Sequence, residues 1–165
     1  MKIVLFLITF ITAISIVCPG VKRDEGEIFL IPENYVGTVA IFFDMPNGKP
    51  IKYEGKYRVY EINKNGILLT QFKENLDVKP FDMVKYYYFN EKTKKRRLLK
   101  YLDTNEMKYV ISDSTFIFAK AMESGLSNKD YHEYKYLHFI VGKMKNIDSL
   151  YEYREKIHLP DLIEK

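Results

Sequence analysis

Between residues 28 and 72 the chain breaks into short apolar runs separated by glycine-bearing turns, a pattern that commits this stretch to β-strands. Val39, Ile41 and Phe43 fall on one strand face, and Ala40 and Phe42 on the other. A strand that is apolar on both faces belongs inside its sheet, covered from two sides. The brief run at 28–31 stops at Pro32, which has no N–H to give to a ladder. Asp44-Met45-Pro46-Asn47-Gly48 predicts a turn, because proline presets φ and Asn-Gly accepts positive φ at little cost. In 56–62 the apolar positions change parity, from Tyr57 and Val59 to Tyr60 and Ile62, so a bulge or cover on both faces is expected. Asn63-Lys64-Asn65-Gly66 then turns the chain into a strand at 67–72.

The later half continues in the same grammar. Residues 83–89 and 98–102 flank the polar, basic stretch 90–97 and predict a hairpin, and 107–112 alternates as a half-buried strand does. Residues 115–122 fit a strand or, through Ala119, Lys120, Ala121 and Met122, a short helix. After a turn at 125–130, residues 131–141 form a long aromatic strand. The period changes at the end: Asn146 is a candidate N-cap for a helix over 147–157, with Ile147, Leu150 and Tyr151 on one face, a Glu152–Lys156 pair on another, and Pro160 beyond it. With 14 Tyr, 11 Phe and no Trp, the composition favours strands. The expected fold is mainly β, a small antiparallel β-sandwich with one C-terminal amphipathic helix, built as a single domain over 28–165.

Residues 3–17 are an almost unbroken apolar run behind Lys2, the length of a signal-peptide core and short for a membrane span. Residues 1–17 are therefore expected to be a signal peptide, with an uncleaved N-terminal anchor as the second reading, and 18–27 a polar tether. Export follows in either case. The one cysteine, Cys18, stands where the apolar run ends, in the place of the acylated cysteine of bacterial lipoproteins. Cys18 is thus the expected lipid attachment site, and acyl chains there would hold the domain on the extracytoplasmic face of the membrane. Without lipidation the chain would be secreted.

The order Gly-x-Val-x-Ile, a Gly-Lys-Pro turn, Gly-x-Tyr-x-Val and a Gly-Ile-Leu turn resembles prealbumin-like or carboxypeptidase-regulatory-like β-sandwiches. More narrowly, Ile31-Pro32-Glu33-Asn34-Tyr35-Val36-Gly37, Asn65-Gly66-Ile67-Leu68 with Thr70, and Phe139-Ile140-Val141-Gly142 resemble an uncharacterised family of bacterial exported proteins and lipoproteins. The resemblance spans about residues 28–142. It implies an envelope location and a β-sandwich, and it brings no catalytic residue.

Chemistry is sparse. His132 and His138 share a strand face but stand about 20 Å apart, too far to hold one metal ion, and His158 has no ligand spacing around it. These histidines are expected to be partly exposed, with no metal site and no cofactor. No nucleophile elbow is present, and paired carboxylates for glycan hydrolysis have no distinguishing context. The densest charge is Lys92, Lys94, Lys95, Arg96, Arg97 and Lys100, beside Tyr86, Tyr87 and Tyr88. Export excludes nucleic acid as the partner, which leaves an anionic surface or polymer, or a solvated hairpin tip that keeps an edge from aggregating. Tyr131, Tyr134 and Tyr136 offer a candidate binding face, or else cover the sheet and dock the terminal helix. The expectation is a non-catalytic binding or structural module of the bacterial cell envelope, partnered by the membrane through its lipid and by an envelope protein or polysaccharide. An envelope enzyme acting on polysaccharide or peptide, and a lipoprotein inhibitor or immunity factor, are the alternatives.

Overall fold

The computed structural model describes residues 25–75, 80–103 and 113–163. The signal peptide expected at 1–17, Cys18, most of the expected tether and the strand expected at 107–112 lie outside them. The described strands are β1 (Gly26–Pro32), β2 (Gly37–Phe42), β3 (Tyr53–Glu54), β4 (Tyr57–Glu61), β5 (Ile67–Leu69), β6 (Val84–Phe89), β7 (Arg96–Tyr101), β8 (Thr115–Leu126) and β9 (Glu133–Lys143). One helix, α1 (Ile147–Glu155), follows, then a 3-10 turn at Leu159–Leu162. The chain is mainly β with one short C-terminal helix, as its apolar patterning requires. Residues 115–122 are strand, and β1 starts two residues earlier than expected, taking Gly26 and Glu27 out of the tether.

The strands join in one open sheet of order β3-β4-β1-β6-β7-β8-β9-β2-β5. Pairing is mixed rather than antiparallel throughout: β1 runs parallel to β4 and β6, β2 to β5, and β7 to β8. The cause is a route that crosses between the two halves of the sheet, since β1 is followed by β2 in the other half and only then by β3 and β4. The three hairpins β3–β4, β6–β7 and β8–β9 are antiparallel, and so is the long-range pair of β2 with β9.

The two halves meet across one core. Phe29 and Ile31 of β1, Tyr60 of β4 and Tyr86 of β6 face Val39 and Ile41 of β2 and Phe139 of β9, all of them buried. The Phe29 ring stacks on Tyr60 and Tyr86 with centroids 5.0 Å away on either side, and meets Phe139 edge-on at 5.4 Å. The other faces are covered too: Ala40 and Phe42 lie beneath Leu159 and Ile163, while Phe118 and Ile140 lie beneath Leu150 and Tyr151 of α1. This double cover explains the two-faced apolar pattern of β2. It also explains the parity change in β4, where Tyr60 enters the main core and Val59 packs with Ile28 and Leu30 on the opposite face.

Two of the turn glycines are sterically required. Gly66 has φ +80°, and a Cβ there would clash with the Tyr35 hydroxyl and the Thr38 carbonyl oxygen, while Asn63 Oδ1 accepts the N–H groups of Asn65 and Ile67. Gly48 lets its turn approach the Leu69–Thr70 backbone, but the positive φ of that turn falls at Asp44 rather than at Asn47 or Gly48. At the C-terminus Asn146 occupies the N-cap position without a side-chain bond, and its carbonyl oxygen instead accepts the Ser149 hydroxyl at 3.0 Å. Asp161 ties the last turn to the β8–β9 loop by accepting Asn128 N–H at 2.7 Å, Asn128 Nδ2 at 2.9 Å and Ser127 Oγ at 3.2 Å. The Asn128 side-chain bond is the main reason the Asp161 carboxyl is held down to about 2.

Candidate functional site

The basic run folds into the turn between β6 and β7. Asn90 shapes that turn by accepting Lys92 and Thr93 N–H on Oδ1, while Nδ2 donates to Glu33 at 2.6 Å. The long cationic side chains lie over aromatic rings of the adjoining strands, with Lys94 Nζ 5.6 Å from the Phe89 centroid and the Arg97 guanidinium 4.7 Å from that of Tyr88. Arg96 is already paired: it forks onto Glu54 with two bonds of 2.8 and 2.6 Å and draws that carboxyl below its usual range. Lys100 belongs to a different place, near the far end of β7 opposite Phe116. The run thus resolves into Lys92, Lys94, Lys95 and Arg97, exposed on a well-bonded tip.

The tyrosine face does not form. Tyr131 is 81% exposed and sits before β9 with φ +55°, whereas Tyr134 and Tyr136 are buried. Both stand under the C-terminal segment, with Tyr134 donating to Asp130 at 2.6 Å and Tyr136 to Glu123 at 3.0 Å. Tyr134 and Tyr136 therefore dock the chain end instead of presenting a surface.

His138 was expected to be partly exposed, and it is buried beneath α1. Its Nε2 meets Glu123 Oε1 at 3.1 Å, and Arg154 Nε donates to its Nδ1 at 3.4 Å. Arg154 also reaches Glu123 at 3.2 Å, so three elements converge on one bonded set. The set exists because β8 carries a bulge. Its register with β9 shifts between Phe118 and Ala121, and Ala119 has φ +54°. Phe118 and Ala119 consequently face the same way, Lys120 turns inward, and Glu123 comes out on the face of His138. Inward, Lys120 meets buried Glu27 at 3.0 Å and lies 5.1 Å from the Phe29 centroid.

Neither charged set was anticipated, although each left a trace. Arg154 stands at the i+7 position of the Ile147–Leu150–Tyr151 stripe, a cation on the apolar face of the helix. Glu27 shares its parity with Phe29 and Ile31. The bulge itself has no signature in residues 115–126.

Burial holds the His138 imidazole below its ordinary value, and Arg154 pushes the same way against Glu123. Burial opposes ionisation of Glu123, yet its bonds from His138 and Tyr136, with the Arg154 charge, bring it below the usual carboxylate range. Each depressed value contributes stability that is present above the unfolded-state pKa and lost as pH falls through the folded one. The urea midpoint is therefore expected to decline from about pH 6.5 downward. His138→Gln should flatten the upper part of that decline, and an unchanged profile in the variant would count against the assignment.

A cleft of about 440 Å³ opens between β2, the turn before β5 and the C-terminal segment, rimmed by exposed Val36, Tyr153 and Leu162. Among the described residues no group of three or more His, Cys, Asp and Glu side chains is placed to hold a metal ion. No described helix is long and apolar enough to cross a membrane.

Residues 23–149 match the model of a family of unknown function (DUF6843). No curated protein matches the chain in sequence. Among solved structures it is similar to a crystal structure named "Putative Lipoprotein from Bacillus anthracis", at 17% identity and a TM-score of 0.49, over 71% of this chain and 69% of that one.

Proposed function

We propose that this chain, which belongs to that family of unknown function, is a non-catalytic binding or structural module of the bacterial cell envelope, exported and held at the membrane by lipid on Cys18. The observation that carries the reading is the use made of its titratable side chains. Glu123, Tyr136, His138 and Arg154 spend their bonds on one another and fasten α1 to the sheet, where an acid, base or nucleophile at work would face a substrate-sized opening. The cations that do face solvent sit on a turn fixed by the bonds of Asn90, the arrangement of a contact surface. The prealbumin-like kinship read from the turn motifs belongs to the same proposal, as a scaffold on which loops carry the contacts.

Metabolic labelling with a palmitate analogue tests the anchor. The native chain should carry label and Cys18→Ala should carry none. A native chain without label, or a Cys18→Ala chain labelled equally, overturns the lipid attachment.

A further inference from the structure

The register of β1 against β6 sets the direction in which the cationic tip points. The two strands are parallel, with Glu27 opposite Val84 at one end and Pro32 opposite Phe89 at the other. The chain enters the fold at the first end, where Glu25 is already fixed by Arg58 at 2.6 Å and by the Tyr53 hydroxyl at 3.2 Å. The tip at 90–95 caps the second end, beyond Phe89. Seven residues of strand separate them, about 20 Å at 3.3 Å per residue. This places Lys92, Lys94, Lys95 and Arg97 at the end of the domain remote from Glu25, and, resting on the lipid anchor just proposed, that end is the one turned away from the anchored start of the chain.

We infer that the tip binds a phosphate-rich polyanion of the envelope outside the membrane, rather than the headgroups of the bilayer in which the chain is anchored. Charge complementarity gives the chemistry, since four exposed cations outnumber the two exposed carboxylates beside them, Glu91 within the turn and Glu33 bonded to Asn90, and Arg96 is already neutralised by Glu54. Geometry gives the source. The tip stands a full strand length from Glu25, where the chain enters the fold, so it caps the end of the domain opposite to the one that follows the anchor in sequence. Two of the four cations are positioned by rings, Lys94 on Phe89 and Arg97 on Tyr88, and consecutive strand residues place these two on opposite faces of the hairpin, so a flexible polymer could meet both.

The test uses the full chain reconstituted in phosphatidylcholine vesicles. Inorganic polyphosphate added outside should bind with an affinity that falls as salt rises, and changing Lys92, Lys94 and Lys95 together to Gln should weaken it about 100-fold, at roughly fivefold per cation. The same three positions changed to Arg should retain it. A dye on Thr93→Cys, with Cys18 occupied by lipid, should show energy transfer to a bilayer acceptor that stays unchanged when phosphatidylglycerol enters the membrane. Equal polyphosphate affinity in the native and Gln chains overturns the site, and energy transfer that rises with phosphatidylglycerol assigns the tip to the bilayer instead. Loss of the palmitate label would remove the anchor while leaving polyphosphate binding intact, so the two proposals fail separately.

Discussion

Lys120→Met is expected to destabilise the fold by about 3 kcal/mol, while the double change Glu27→Leu with Lys120→Met returns to within about 1 kcal/mol of the native chain. Glu27 is 4% exposed, among Tyr60, Tyr86 and Phe29, and Lys120 lies 3.0 Å from its carboxylate. Removing the ammonium leaves a buried charge without its partner, and the desolvation cost that the pair had offset is then felt in full. Removing both charges eliminates that cost together with the attraction. The Lys120 side chain is 24% exposed, which places the single-variant effect at the low end of the range for buried pairs. Urea unfolding of the native, single and double variants makes the measurement. A single variant within 0.5 kcal/mol of native, or a double variant as unstable as the single, would show that the pair does not hold β1 to β8.

That pair also marks where sequence patterning stops being informative. The double burial of β2 is visible in Val39, Ile41 and Phe43 against Ala40 and Phe42, because alternation reports the two faces of a strand directly. The 83–89 and 98–102 hairpin is likewise legible, since its turn is local in the chain. The sheet order is not: β1 finds β4 and β6 only after the chain has crossed to the other half, and no short-range signal encodes pairings between residues 31 and 57 positions apart, such as Gly26 with Tyr57 and Glu27 with Val84. The bulge at Ala119 is hidden for a related reason. Positive φ at an alanine is held by the tertiary contacts of Phe118, Lys120 and Glu123 on opposite faces, and not by a local preference of alanine.

The candidate site follows the same division. The cationic tip is readable as composition, but its separation into a paired Arg96, a distant Lys100 and four solvent-facing cations depends on Glu54 and on the length of β7. The tyrosines illustrate the converse error. Tyr131, Tyr134 and Tyr136 look alike in the sequence, and the C-terminal segment decides their fates by covering the last two and leaving the first in water. His138 is buried for the same reason, as α1 brings Arg154 down onto it.

Phe29→Ala should cost about 3–5 kcal/mol, enough to remove much of the stability of a domain of this size. The ring is fully buried and makes three aromatic contacts, stacked on Tyr60 and Tyr86 and edge-on to Phe139, so it joins three strands of one half to β9 of the other. Truncation loses the transfer energy of the ring and the ring–ring terms, each worth about 1 kcal/mol, and leaves a cavity that the flanking tyrosines can close only by leaving their own positions. The same ring lies under the Lys120 ammonium, so the two variants should not be additive: with Phe29 gone, removing Lys120 should cost less than it does in the native chain. Phe29→Leu, which keeps most of the volume, is expected to lose about half as much as Phe29→Ala. Denaturant midpoints of the three single and paired variants decide the matter, and a Phe29→Ala chain that unfolds within 1 kcal/mol of native would mean that the two halves are held together elsewhere.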